Sequence, residues 1–138
     1  MAPTRPPTGS SNGTLCGFDI SKYAIANADS VAKPFVQCAS VDDFMFLRNY
    51  DVMLCLDMIE HLTENQIDDF LYRSRPFIND CCFMVIACDS EKNRIEPSHI
   101  TMQLREWWHE RFVNAGWVHD DEMKDFQEIV MSEKFIVG

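Results

Sequence analysis

The chain has 138 residues, of which 46% are hydrophobic and 25% charged. One core of useful size is therefore expected and disorder of the whole chain is excluded. Its 22 acidic and 12 basic side chains give a formal charge of −10, a field that repels phosphate backbones and argues against duplex nucleic acid as a partner.

Residues 1–14, with Pro3, Pro6 and Pro7 and no apolar centre, read as a flexible leader rather than a strand or a signal peptide. Residues 15–20 (LCGFDI) read as a short strand. Ser21 can cap a helix continued by Tyr23, Ala24, Ala26, Ala28 and Val31. Residues 35–38, after Pro34, form a second predicted strand. Residues 51–56 form a third, with five apolar residues in a row after Asp51, the pattern of a strand buried on both faces.

Thr63-Glu64-Asn65-Gln66 is a capping-box sequence. It opens a helix with Ile67, Phe70, Leu71, Phe77 and Ile78 on one side, ended or kinked at Pro76. Residues 81–88 (CCFMVIAC) make the longest apolar strand. Residues 101–115 read as a helix with Leu104, Trp108, Phe112 and Ala115 inward, stopped by Gly116. Residues 117–118 and 128–137 read as a closing antiparallel pair. No apolar run approaches the roughly 18–20 residues of a membrane span, so no membrane partner is expected.

This alternation predicts an α/β fold, a mostly parallel sheet with flanking helices and a C-terminal antiparallel strand pair. Ligands of such sheets bind beyond the carboxyl ends of the strands, so the residues just after each strand carry the information. The six cysteines, Cys16, Cys38, Cys55, Cys81, Cys82 and Cys88, contain no C-x-x-C pair, which disfavours a zinc ribbon. Most lie in apolar runs, as buried free thiols do, and this implies a reducing, cytoplasmic compartment.

Asp19, in Gly17-Phe18-Asp19-Ile20-Ser21, either accepts hydrogen bonds from ribose hydroxyls or caps the next helix. Asp57, Glu60 and His61 fall at i, i+3 and i+4, one face of a helical turn. With His99 entering from the next strand-end loop, these donors suit Mg²⁺ or Mn²⁺. The rival reading makes His61 or His99 a general base, for which an imidazole is suited near neutral pH. Trp107-Trp108 is read as core and cover rather than a stacking platform, and the acidic runs at 64–69 and 120–122 as solvated faces.

The segment Tyr50-Asp51-Val52-Met53-Leu54-Cys55-Leu56-Asp57-Met58-Ile59-Glu60-His61-Leu62 resembles the fourth-strand motif of class I S-adenosylmethionine-dependent methyltransferases, roughly "fDvvlslevleHl". Gly17 to Ser21 is similar to the family's "GvDiS" at the end of its second strand. Pro97-Ser98-His99-Ile100-Thr101, then a helix ending Asn114-Ala115-Gly116-Trp117, is similar to its "p.H...s...l..aGF" region. The resemblance spans residues 15 to 120 and implies a Rossmann-like fold. It implies that S-adenosyl-L-methionine is the cofactor, with Asp19 on the ribose, Ile20 against the adenine, Ser40 and Val41 along the adenine edge, and Leu56 and Asp57 facing the methionine end. Some members, the ubiquinone-pathway and small-RNA 2′-O-methyltransferases, hold a divalent ion on a carboxylate-x-x-Glu-His arrangement.

The family's first βα unit, with its glycine-rich D-x-G-x-G-x-G loop, is missing: 18 residues precede Asp19 and carry no such strand. The expected organisation is a leader at 1–14 and an incomplete methyltransferase-like domain at 15–138. An alternative alignment makes residues 15–20 the first strand itself. The empty position in the sheet would be closed by a strand slide or by a partner chain, a homodimer included, or would mark a fragment of a longer protein. The expected activity is O-methylation of a small molecule or sugar hydroxyl. The alternatives are a non-catalytic remnant acting as a binding or assembly module, and a metal-dependent RNA 2′-O-methyltransferase, which the charge disfavours.

Overall fold

The computed structural model describes residues 15–88 and 97–119 and the backbone of 134–137. The elements are β1 (Gly17–Asp19), α1 (Lys22–Ala26), β2 (Val36–Cys38), β3 (Tyr50–Leu56), α2 (Glu64–Ser74), β4 (Ile78–Ala87), α3 (Arg105–Asn114) and β5 (Lys134–Val137). Single 3-10 turns lie at Lys33–Phe35, Ile59–His61 and Arg75–Phe77. The structure is mixed α/β with two small sheets, and the chain divides into two compact units between Met45 and Phe46. The predicted leader, the acidic run at 120–122 and residues 128–133 of the last predicted strand lie outside the described residues.

In the first unit β1 and β2 pair in parallel, with Gly17 opposite Val36 and Asp19 opposite Cys38. A Cβ on residue 17 would meet Val36 Cγ1 at 3.3 Å, so glycine permits the close approach. Ser21 caps α1, its Oγ accepting the Ala24 N–H at 3.1 Å. The helix stops at Ala26 instead of running to Val31. Asp29 explains the early end: its carboxylate accepts the Val31 N–H at 2.8 Å and its carbonyl accepts from Ala32 and Lys33, a local bonding pattern that competes with helix. Phe18 stacks on Phe44 at 4.1 Å between ring centroids, and Phe44 and Val41 are buried.

In the second unit the strand order is β3-β4-β5. β3 and β4 are parallel, with Met53 opposite Cys82 and Leu56 opposite Val85. β5 runs antiparallel to β4, so the C-terminal strand closes on β4 and not on residues 117–118, which form no strand. The reason is the end of α3. Gly116 is left-handed (φ 91°), its N–H bonds Val113 O at 3.0 Å, and the Trp117 N–H bonds Phe112 O at 2.9 Å. This is a Schellman termination, which commits the Trp117 donor to the helix while its buried indole donates to Leu71 O at 3.4 Å.

The expected capping box starts α2: Thr63 Oγ1 accepts the Gln66 N–H at 3.3 Å and the Thr63 N–H donates to Gln66 Oε1 at 3.0 Å. Ile67, Phe70 and Leu71 of α2 and Trp108 and Phe112 of α3 are buried. Arg111 of α3 reaches Asp68 at 2.7 Å and Glu64 at 3.6 Å on α2, and its guanidinium lies over Trp107 at 4.5 Å. α3 begins later than the sequence pattern suggests, so Leu104 is an exposed N-cap residue rather than part of the inner face.

A second correction concerns β3. Met53 and Cys55 are buried, but Val52, Leu54 and Leu56 on the opposite face are 54%, 64% and 53% exposed. Among the described residues β3 pairs only with β4, so it is an edge strand covered on one face, not a strand buried on both. None of the six cysteines is in a disulfide; Cys55, Cys82 and Cys88 are buried, Cys16 and Cys81 half-buried, Cys38 exposed. Burial, followed by the charges of Glu60 and Asp57, pushes the Cys55 thiol up to about 12. Among the described residues no helix is long and apolar enough to cross a membrane.

Removing a fully buried side chain from α2 costs its transfer free energy plus the cavity. Leu71→Ala should lose about 2–5 kcal/mol in urea unfolding, and Thr63→Ala about 1 kcal/mol through the lost cap. Equal losses from the two would contradict this division between core and cap.

Candidate metal centre

Parallel pairing of β3 with β4 brings the chain that leaves β3 beside the end of β4. Leu56 is followed by Asp57, whose backbone is left-handed (φ 49°) and whose N–H extends the ladder to Val85 O at 2.9 Å. Asp tolerates this conformation better than most residues. The turn folds the next residues back, and both Ile59 and Glu60 become fully buried.

One carboxylate oxygen of Glu60 is satisfied. Its Oε1 accepts the Ala87 N–H, the last residue of β4, at 3.3 Å. Its Oε2 is buried and has no hydrogen-bond partner among the described residues. Burial raises the Glu60 pKa above the ordinary carboxylate range; the nearby Asp57 charge adds to the rise, while backbone N–H donors and His61 oppose it.

His61 Nδ1 lies 2.8 Å from Ser98 O. A carbonyl only accepts, so Nδ1 carries the proton and the Nε2 lone pair is left for another partner. His99 stands edge-on to His61, with centroids 4.8 Å apart, and its buried Nδ1 also has no partner among the described residues. Donor atoms of Glu60, His61 and His99 all lie within 4.8 Å of one another. Two buried acceptor-capable atoms without partners among the described residues, in a cluster whose donor atoms lie within 4.8 Å and whose His61 tautomer is fixed by a carbonyl, fit a cation better than they fit a closed hydrogen-bond network.

Glu60, His61 and His99 thus come together as the spacing suggests. Asp57 is not in the convergent set; it is exposed and acts on Glu60 through its charge. Leu56 is exposed. In the first unit, Asp19 is exposed and its Oδ1 accepts the Ser21 N–H at 2.7 Å, while Ser21 itself caps α1. Ile20 is 74% exposed. The Asp19 carbonyl accepts the Ala39 N–H at 3.0 Å, so Asp19, Ile20 and Ser40 follow neighbouring parallel strand ends. Ser40 Oγ donates to Asp43 at 2.9 Å, and Val41 is buried in the core of its unit. Trp108 is core, and half-buried Trp107 carries the Arg111 guanidinium.

The sequence assigns no role of its own to Ser98, Ala87 or Thr101. The first two act through backbone atoms, which no residue identity announces. Comparison with known proteins finds no family model and no curated protein that matches this chain.

The raised pKa of Glu60 has a signed consequence. A carboxyl that holds its proton more tightly when folded contributes stability below its unfolded value, about 4.3, which is lost as pH rises through the folded value. The metal-free protein should therefore show a falling urea midpoint across that window. Glu60→Gln, which keeps the Oε1 acceptor for Ala87, should remove this fall; an identical pH profile in the variant would contradict the assignment.

Proposed function

We propose that the chain is a class I S-adenosylmethionine-dependent methyltransferase-type domain of Rossmann-like architecture that methylates a hydroxyl of a small molecule or sugar, with a divalent ion held by Glu60, His61 and His99. The observation that carries this reading is the convergence of those three donors at the carboxyl ends of β3 and β4, where open α/β sheets bind ligands. It falls on the segment whose sequence resembles the family most closely.

S-adenosylmethionine, when bound, supplies an electrophilic sulfonium methyl. The part of this chain is mostly positioning. In the second unit the Leu56-Asp57 turn would border the amino-acid end of the donor. An Mg²⁺ or Mn²⁺ ion on Glu60, His61 and His99 would orient the acceptor hydroxyl and lower its pKa. The His61 Nε2 lone pair serves either as ligand or as proton acceptor, since one pair cannot do both at once. The formal charge of −10 supports a small acceptor over RNA.

A second reading, a non-catalytic binding or assembly module, is favoured by a separate observation. The exposed apolar row Val52, Leu54 and Leu56 lies on an edge strand, and residues 15–138 contain no glycine-rich loop. Isothermal titration separates the two. Binding heat with S-adenosylmethionine or its demethylated product is expected for the enzyme, and no heat with either decides for the module. For the ion, Mn²⁺ should bind the unaltered protein by electron paramagnetic resonance titration and fail to bind Glu60→Ala or His61→Ala. Undiminished uptake by both variants would remove the site.

A further inference from the structure

We infer that Thr101 is a positioning residue: it clips the loop carrying His99 onto the turn carrying Glu60 and His61, and so sets the affinity of that centre for a divalent ion. The inference deepens the metal reading above and rests on it. Thr101 is 5% exposed and lies ahead of α3, outside any helix or strand. Its backbone N–H donates to Glu60 O at 3.0 Å. Its hydroxyl donates to Leu62 O at 2.6 Å. The return bond runs the other way along the loop, from the His61 imidazole to Ser98 O at 2.8 Å.

These three bonds join residues 98 and 101 to residues 60, 61 and 62. His99 sits between the two anchors of the loop, next to Ser98. Its own Nδ1 has no partner among the described residues to fix the ring, and the backbone is held on either side of it. The same clip holds the Ser98 carbonyl where it fixes the His61 tautomer. Outer groups that orient ligands in this way typically change metal affinity by about 10–100-fold when removed. The backbone bond survives replacement by Val or Ser, whereas the hydroxyl bond is lost in Val. Thr101→Val keeps the shape and leaves the Leu62 carbonyl without its donor.

The test uses Co²⁺ as probe, read by its visible absorption. Thr101→Val should weaken Co²⁺ binding about tenfold, and Thr101→Ser, which retains the hydroxyl, should bind like the unaltered protein. Ser74→Ala, which removes another fully buried hydroxyl, one that bonds Leu71 O at 3.2 Å, should leave Co²⁺ affinity unchanged. If the valine protein does not fold, the serine protein decides: a tenfold loss there overturns the proposal.

A metal-free readout runs in parallel. Long-range ¹H–¹⁵N spectra should show His61 as the Nδ1–H tautomer in the unaltered protein and a tautomer mixture in Thr101→Val. An unchanged tautomer, or unchanged Co²⁺ affinity, overturns the positioning role. If the unaltered protein takes up no Co²⁺, the metal reading and the affinity claim fall together, and the tautomer measurement alone decides whether Thr101 orders the two histidines.

Discussion

The burial of one carboxylate governs the second unit. Glu60 is fully buried, yet among the described residues only one of its oxygens has a donor, the Ala87 N–H at the end of β4. Burying an ionised carboxylate without compensation is expensive, so such a group keeps a proton or takes a cation. The surrounding structure is arranged around that demand: β4 ends where its last N–H can donate, Asp57 turns the chain left-handed, and the His61 and His99 rings stand alongside.

Two scaffolds hold this arrangement. Parallel pairing of β3 and β4 decides that the turn after one strand meets the end of the other. The α2–α3 contact, with Arg111 shared between Glu64 and Asp68 and laid over Trp107, links the helix that follows the Glu60 turn to the helix that follows the His99 loop. An Arg with two carboxylates and an aromatic face satisfies more of its fork than a single surface ion pair does. Arg75 repeats the logic nearby, lying over Trp117 at 5.0 Å and donating to Gly116 O at 3.1 Å. The first unit reaches its strand-end residues by the same parallel geometry on a smaller scale, with Phe18 and Phe44 as its aromatic centre.

The edge of β3 sets the second theme. Val52, Leu54 and Leu56 exposed on one face, together with a side that is unpaired among the described residues, make β3 the kind of edge that natural sheets usually avoid. The apolar run reads as doubly buried because composition reports a side chain's preference, not whether an element covers it. The same limit explains α3. Leu104 fits the helical period, but Thr101 is bonded to the Glu60 turn and the helix starts only after that constraint is met.

The sequence by itself determined the local elements whose signals are short-range: the Thr63–Gln66 capping box, the Ser21 cap, the Gly116 stop, the α/β alternation and the Asp-x-x-Glu-His spacing. Each depends on residues within about one or two helical turns, where side-chain identity dictates backbone bonding. Tertiary structure alone decided the rest. It closed β5 on β4, exposed one face of β3, left Asp57 outside the donor set, and bonded Thr101 and Ser98 to the turn that His99 faces. Those outcomes depend on which distant backbone donors and carbonyls meet, and backbone atoms are the same in every residue.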